Sequence, residues 1–172
     1  MGKKISLKDK FFVAGSRGMV GSSICRALQN NGYGSAKNES VILAPSRQEL
    51  NLLESEKVKN WFNKNKPTVV ILAAAKVGGI YANNTYPGDF ILENIKIQTN
   101  IIEASWEIGV KRLLFLGSSC IYPKNAPQPI IEDFLLKGEL EKTNEPYALA
   151  KIAGIKLCES LRKQYNFDAI SL

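Results

Sequence analysis

Apolar residues fall along this chain in short, dense runs separated by longer amphipathic stretches, the rhythm of strands alternating with helices. Phe11-Phe12-Val13-Ala14, Val41-Ile42-Leu43-Ala44, Thr68-Val69-Val70-Ile71-Leu72-Ala73 and Leu113-Leu114-Phe115-Leu116 read as buried strands. They are continuously apolar, as strands of a parallel sheet covered on both faces must be. Leu50-Asn51-Leu52-Leu53 reads as a very short further strand, and Phe167-Asp168-Ala169-Ile170-Ser171-Leu172 opens a sixth. Helical spacing appears over 20–31 (Val20, Ile24, Ala27, Leu28), over 54–65 (Val58, Trp61, Phe62), from Thr85 or Tyr86 to Ile108, and over 147–166. Pro67 and Gly109 close the second and third of these helices. Residues 1–10 are polar and expected to be frayed. Two connections carry functional interest: the polar, glycine-bearing stretch 76–84 and the long, proline-rich stretch 122–146.

Composition narrows the class. A chain of 172 residues with 45% hydrophobic content is long enough for one domain with a real core. No apolar run approaches the ~20 residues that would span a bilayer, and the first one is strand-sized rather than a secretory core. The net charge of +7 is scattered, with no basic stripe interleaved with aromatics, so a nucleic-acid partner is not expected, nor a membrane. Cys25, Cys120 and Cys158 show no paired spacing, which suits a reduced, cytoplasmic setting. The chain contains no histidine. That removes a Ser-His-Asp triad, a histidine zinc site and an imidazole base from within it, and no metal site is expected.

The first strand runs into Gly15-Ser16-Arg17-Gly18-Met19-Val20-Gly21 and then a helix, the order that a dinucleotide site requires. One glycine permits the tight turn, one lets pyrophosphate approach the backbone, and one lets helix pack on strand. The helix N-terminus then offers free N–H groups to phosphate. The spacing is G-x-x-G-x-x-G, not G-x-G-x-x-G. An NAD site ordinarily places an acid at the end of the second strand for the ribose 2′-hydroxyl. Here the chain reads Ala44-Pro45-Ser46-Arg47, and Arg17 lies inside the glycine loop. Two guanidinium groups favour NADP, because they can grip a 2′-phosphate with bidentate charged hydrogen bonds. The predicted fold class is therefore α/β, a Rossmann-type doubly wound parallel sheet, with 11–172 as an NADP-binding domain.

The stretch Leu116-Gly117-Ser118-Ser119-Cys120-Ile121-Tyr122-Pro123-Lys124 places small hydroxyl residues where a buried strand ends, the edge at which open α/β sheets bind ligands. Tyr147-Ala148-Leu149-Ala150-Lys151 places Tyr147 and Lys151 on one helix face. An ammonium near the phenol is expected to lower its pKa and ease proton delivery, while Ser118 holds a carbonyl oxygen. A lone Tyr-x-x-x-Lys is common by chance; it gains meaning from the serine pair and the glycine loop. Cys120 fits either a small apolar residue or a thiolate base.

These motifs together resemble the extended short-chain dehydrogenase/reductase family. With Ala73-Ala74-Ala75-Lys76-Val77-Gly78-Gly79-Ile80 and Asn144-Glu145-Pro146-Tyr147, they are most similar to its 3,5-epimerase/4-reductases acting on GDP-4-keto-6-deoxy-mannose. The resemblance covers about residues 11–172. It implies a catalytic set of Ser118, Cys120, Tyr147 and Lys151, with Tyr147 as proton donor and Cys120 in proton transfer at the epimerised carbons. It implies NADP(H) contacts from Gly15, Ser16, Arg17, Gly18, Met19, Val20, Gly21, Arg47, Asn51, Leu52, Ala74, Leu116, Gly117, Ser118, Ser119, Tyr147 and Lys151. It also implies a homodimer for the whole enzyme. Members of the family continue past the point where this chain stops, so the C-terminal substrate domain, with the histidine that partners the cysteine, is expected to be absent. Other nucleotide-sugar epimerases or dehydratases of the superfamily are alternatives, as is a truncated, non-catalytic NADP-binding protein. A dehydratase would carry an acidic pair beside the serine, where this chain has Ser119-Cys120.

Overall fold

The computed structural model describes residues 5–35, 37 and 40–172. Its elements run β1 (Lys10–Ala14), α1 (Met19–Asn30), β2 (Val41–Leu43), α2 (Ser55–Asn65), β3 (Val69–Leu72), α3 (Ile80–Thr85), α4 (Pro87–Glu107), β4 (Arg112–Phe115), α5 (Glu145–Tyr165) and β5 (Ala169–Ser171). The five strands form one parallel sheet in the order β2-β1-β3-β4-β5. The chain moves outward from β1 to β2, then crosses back to β3 on the other side of β1. The switch point lies between β1 and β3, where the C-terminal strand edge of a doubly wound sheet opens a crevice.

The central strands are apolar for the predicted reason. All four residues of β3 are buried, and so are Phe11 to Ala14 of β1. One face packs Phe12, Val70, Leu72, Leu113 and Phe115 against α2, α4 and α5; the other packs Phe11, Val13, Val69 and Ile71 against Ile24 and Leu28 of α1. Helix α4 ends as Gly109 demands. Gly109 adopts φ +72°, the Gly109 N–H donates to the Trp106 carbonyl, and the Val110 N–H donates to the Ser105 carbonyl. These two bonds satisfy carbonyls that the helix end would orphan. Helices α4 and α5 approach closely at Gly154, where an added Cβ would meet Phe115 Cζ at 2.5 Å and Gln98 Oε1 at 2.8 Å. Gln98, buried between them, donates from Nε2 to the Ala150 carbonyl at 2.6 Å.

Three expectations change. Leu50 to Leu53 form turns, not a strand, because Leu50 is drawn into the core, the Leu53 N–H donates to Asn51 Oδ1 within the turn, and Asn100 Nδ2 of α4 donates to the Leu52 carbonyl. The strand at 169–171 is therefore the fifth and forms the sheet edge beyond β4. The stretch 76–84 is not wholly loop: α3 begins at Ile80, and Asn83 Nδ2 donates to the Gly78 and Gly79 carbonyls that precede it.

Of the expected frayed segment 1–10, residues 1–4 lie outside the described residues, and the chain is held from Ser6 onward. Asp9 is 1% exposed and accepts from the Ser6 N–H (2.7 Å), Thr68 Oγ1 (2.7 Å) and Lys111 Nζ (2.6 Å). It thus ties the leads into β1, β3 and β4 together. Burial works to raise its pKa, but the Lys111 ammonium, the Ser6 amide and the Thr68 hydroxyl together hold it below the ordinary 3.8. A depressed carboxylate contributes stability above its ordinary value and loses that contribution as pH falls through its folded value. Asp9→Asn is expected to cost about 2 kcal/mol near neutral pH. The variant should also lose stability less steeply below pH ~4, as chemical denaturation at a series of pH values would show.

Candidate active site

The turn after β1 is built by glycine geometry. Gly15 takes φ +81°, and an added Cβ there would stand 2.8 Å from the Ala74 nitrogen, so this turn and the exit of β3 lie back to back. A Cβ on Gly21 would land on the Gly15 carbonyl oxygen. The Gly18 N–H donates to that same carbonyl at 2.9 Å, and α1 starts at Met19 with no side chain capping it. The N–H groups of Met19, Val20 and Gly21 precede the first intrahelical bond, from the Ser22 N–H to the Gly18 carbonyl. Free amides at a helix start are the arrangement that can hold pyrophosphate.

A cleft of about 670 Å³ opens over this end, walled by the glycine loop, Pro45 to Arg47, Leu50 to Leu53 and Ala73 to Val77. Its size and the backbone cradle fit a dinucleotide. Gly15, Ser16, Arg17, Gly18, Met19, Val20, Gly21, Arg47, Asn51, Leu52 and Ala74 all line it. Motif reading did not single out Lys76, Glu93 and Ile97 as cleft residues, yet they line it too. Lys76 Nζ pairs with Glu93 at 3.1 Å, and buried Asn94 grips both the N–H and the carbonyl of Lys76. The available signal was their placement: Lys76 directly follows the alanine run, and Glu93 and Ile97 are one helical turn apart. The cleft continues into a polar mouth of about 760 Å³ with Arg17, Arg47, Lys57, Ser46, Gln48, Glu49, Asn51 and Glu54 on its walls.

The hydroxyl-phenol-ammonium group assembles beside β4. Ser118 is extended and its Oγ accepts from the Cys120 N–H at 3.4 Å, capping a 3-10 turn over Ser119–Ile121. Lys151, only 4% exposed, donates from Nζ to the Leu116 carbonyl at 2.8 Å. The ammonium also lies 4.8 Å from the Phe115 ring centre and 5.9 Å from that of Tyr147. Burial lowers its pKa to about 8. Tyr147 departs from expectation: its pKa is raised, chiefly by burial and further by the Cys120 thiol, while a hydrogen bond with Ser118 works the other way. The reason is that the Lys151 ammonium is spent on a backbone carbonyl rather than on the phenol oxygen. Ser118, Cys120 and Tyr147 are thus brought together. They and Leu116, Gly117, Ser119 and Lys151 do not line the main cleft. The other thiols are structural, Cys158 fully buried with its pKa pushed up to about 11 and Cys25 also raised by burial.

A doubly wound sheet with a phosphate cradle and a Ser-Tyr-Lys group defines a dinucleotide-dependent enzyme fold. The chain belongs to the NAD dependent epimerase/dehydratase family, which it matches over residues 11–172. This bears out the family resemblance of the motifs and makes the dinucleotide of the cleft a nicotinamide one. It is 57% identical over 162 residues to GDP-L-fucose synthase 1 of Arabidopsis thaliana, covering 94% of this chain and 48% of that protein. It is 56% identical to GDP-L-fucose synthase of Escherichia coli (strain K12), again covering 94% and 48%. Among solved structures it resembles MlghC, a GDP-mannoheptose C4 reductase from Campylobacter jejuni with NADP bound. There the TM-score is 0.91 at 36% identity, with 98% of this chain and 51% of that one covered. The chain spans about half the length of the curated relatives it matches. No helix among the described residues is long and apolar enough to cross a membrane.

Lys151→Met tests the buried ammonium. A lysine whose folded pKa is lowered leaves the unfolded state binding more protons between about 8 and its ordinary 10.5, so wild-type stability should rise across that range. The methionine variant should keep the fold and lose that rise. A wild-type stability profile flat from pH 8 to 10.5 would contradict the burial argument.

Proposed function

We propose that this chain is the cofactor-binding and acid–base half of a GDP-L-fucose synthase. That enzyme epimerises GDP-4-keto-6-deoxy-mannose at carbons 3 and 5 and then reduces the 4-ketone with NADPH. The observation that carries the reading is the convergence of Ser118, Cys120 and Tyr147 at the end of β4, one helical turn from Lys151. The names of the relatives point the same way.

Each residue has a task that its placement supports. Ser118 donates to the ketone oxygen and polarises it. Protons on the neighbouring carbons then become acidic, and Cys120 as thiolate removes one, while Tyr147 shares the enolate charge. Reprotonation from the opposite face inverts the carbon; with no histidine in this chain, that acid is assigned to the remainder of the enzyme. A nicotinamide cofactor bound in the cleft would supply the hydride for carbon 4, and Tyr147 would give its proton to the ketone oxygen. Lys151 supplies positive charge beside Tyr147 and a donor for the cofactor ribose. Arg17 and Arg47, on the polar mouth with no acid at the end of β2, read the 2′-phosphate and make the cofactor NADP(H). A homodimeric, cytoplasmic enzyme with 11–172 as its NADP-binding domain completes the reading.

A fluorescence titration of the purified chain with NADPH and NADH tests the cofactor assignment. NADPH should bind at least tenfold more tightly, the worth of roughly one charged bidentate contact, and Arg47→Ala should close most of that gap. Equal affinities in the wild type would overturn it. In the whole enzyme, Tyr147→Phe should slow ketone reduction by about a hundredfold or more. A rate within a few-fold of wild type would remove Tyr147 from the chemistry.

A further inference from the structure

The residues that face the polar mouth are not equally engaged. Glu54 accepts from Lys57 at 2.7 Å and from Asn51 Nδ2 at 2.9 Å, so this acid and this lysine satisfy each other. Glu49 is engaged differently. Its carboxylate accepts from the Ser46 N–H at 2.7 Å, while the Glu49 N–H donates to the Ser46 carbonyl at 3.1 Å and to the Ser46 hydroxyl at 3.3 Å. The Leu50 N–H donates to the same Ser46 carbonyl at 2.9 Å, and the Leu50 side chain is buried at 3% exposure. Ser46 to Leu50 is thus a reciprocally closed turn, a capping box without a helix behind it, anchored to the core at one end. Arg47 and Gln48 are the two residues it holds out over the mouth. Among the described residues, neither Arg17 nor Arg47 makes a hydrogen bond or ion pair.

We propose that Glu49 is a positioning residue for cofactor selection: by closing the turn on Ser46 it presents the Arg47 guanidinium to the 2′ position of the adenosine ribose. The inference rests on the NADP reading of this mouth. It assigns a carboxylate, which would repel a phosphate if loose, to the job of building the phosphate site. The bonds to Ser46 keep the acid occupied, and they, with Arg17 nearby, hold its pKa below the ordinary carboxylate range. An ionised Glu49 is therefore compatible with phosphate only while it is tied to the turn. Releasing it would loosen Arg47 and set a free negative charge near Arg17.

The test is the ratio of NADH to NADPH dissociation constants in the purified chain, measured for wild type, Glu49→Ala and Glu49→Gln. Glu49→Ala should lower the ratio roughly fivefold to tenfold, the net worth of about one hydrogen bond. Most of the change should fall on NADPH. Glu49→Gln keeps an acceptor for the Ser46 N–H and should hold the ratio within about twofold of wild type. A purely structural role would weaken both cofactors together and leave the ratio alone, which would overturn the proposal. So would a glutamine variant that loses the ratio as fully as alanine, since charge rather than the turn would then be decisive. If Glu49→Ala fails to fold, Glu49→Asp makes the same comparison, because its carboxylate is one methylene too short for the Ser46 N–H; an unchanged ratio there overturns the proposal equally. A wild type without NADPH preference would instead refute the NADP reading itself.

Discussion

The contact between Gly21 and the Gly15 carbonyl oxygen sets the geometry of the rest of the site. With no side chain at Gly21, that oxygen occupies the place where one would be, and α1 starts directly over the end of β1. Three consequences follow from this one approach. The first helical amides lack intrahelical partners at the C-terminal edge of the sheet, where an anion can reach them. Gly15 in turn lies against the Ala73 and Ala74 backbone, which sets how the chain leaves β3. The crevice at the switch point between β1 and β3 is then floored by backbone and small side chains, which allows close approach by a ligand.

The other half of the sheet is arranged by a second close approach, at Gly154. Phe115 and Gln98 fill the space its side chain would take, bringing α5 hard against β4 and α4. That packing is what buries Lys151. The ammonium is left with one carbonyl, two aromatic rings and little water, and its lowered pKa reports the electrostatic cost of that placement. A methionine would fill the same volume at no such cost. The lysine is therefore not explained by stability.

Much of this was legible in the sequence, for identifiable reasons. Strands covered on both faces are continuously apolar, so β1, β3 and β4 announced themselves, and Gly109 marked the end of α4. The glycine loop and the Ser118, Tyr147 and Lys151 pattern were legible because spacing alone puts such residues at one sheet edge. Leu50-Asn51-Leu52-Leu53 misled because leucines pulled into a core from a turn look like a short strand; only the bonds of Asn51 and Asn100 distinguish them. The Ser46 turn carried a readable S-x-x-E spacing, but its meaning depends on which cleft the turn overhangs. The Tyr147 pKa was misjudged because sequence spacing places Lys151 near the phenol without saying which oxygen its proton chooses.

That last discrepancy bears on the direction of the chemistry. A group that must donate a proton should hold it at neutral pH until the moment of need. A raised phenol pKa does this, and the oxygen formed when a hydride reaches a ketone is an alkoxide, far more basic than any tyrosinate. Transfer from Tyr147 is downhill even with its pKa raised, so reduction needs no acidified phenol. A lowered pKa matters in the opposite direction, when the tyrosinate must take a proton from an alcohol. Burial of Tyr147, the neighbouring Cys120 thiol and the engagement of Lys151 with Leu116 all favour the protonated phenol. On the reductase reading, the site is poised to deliver a proton to a ketone oxygen rather than to remove one from an alcohol.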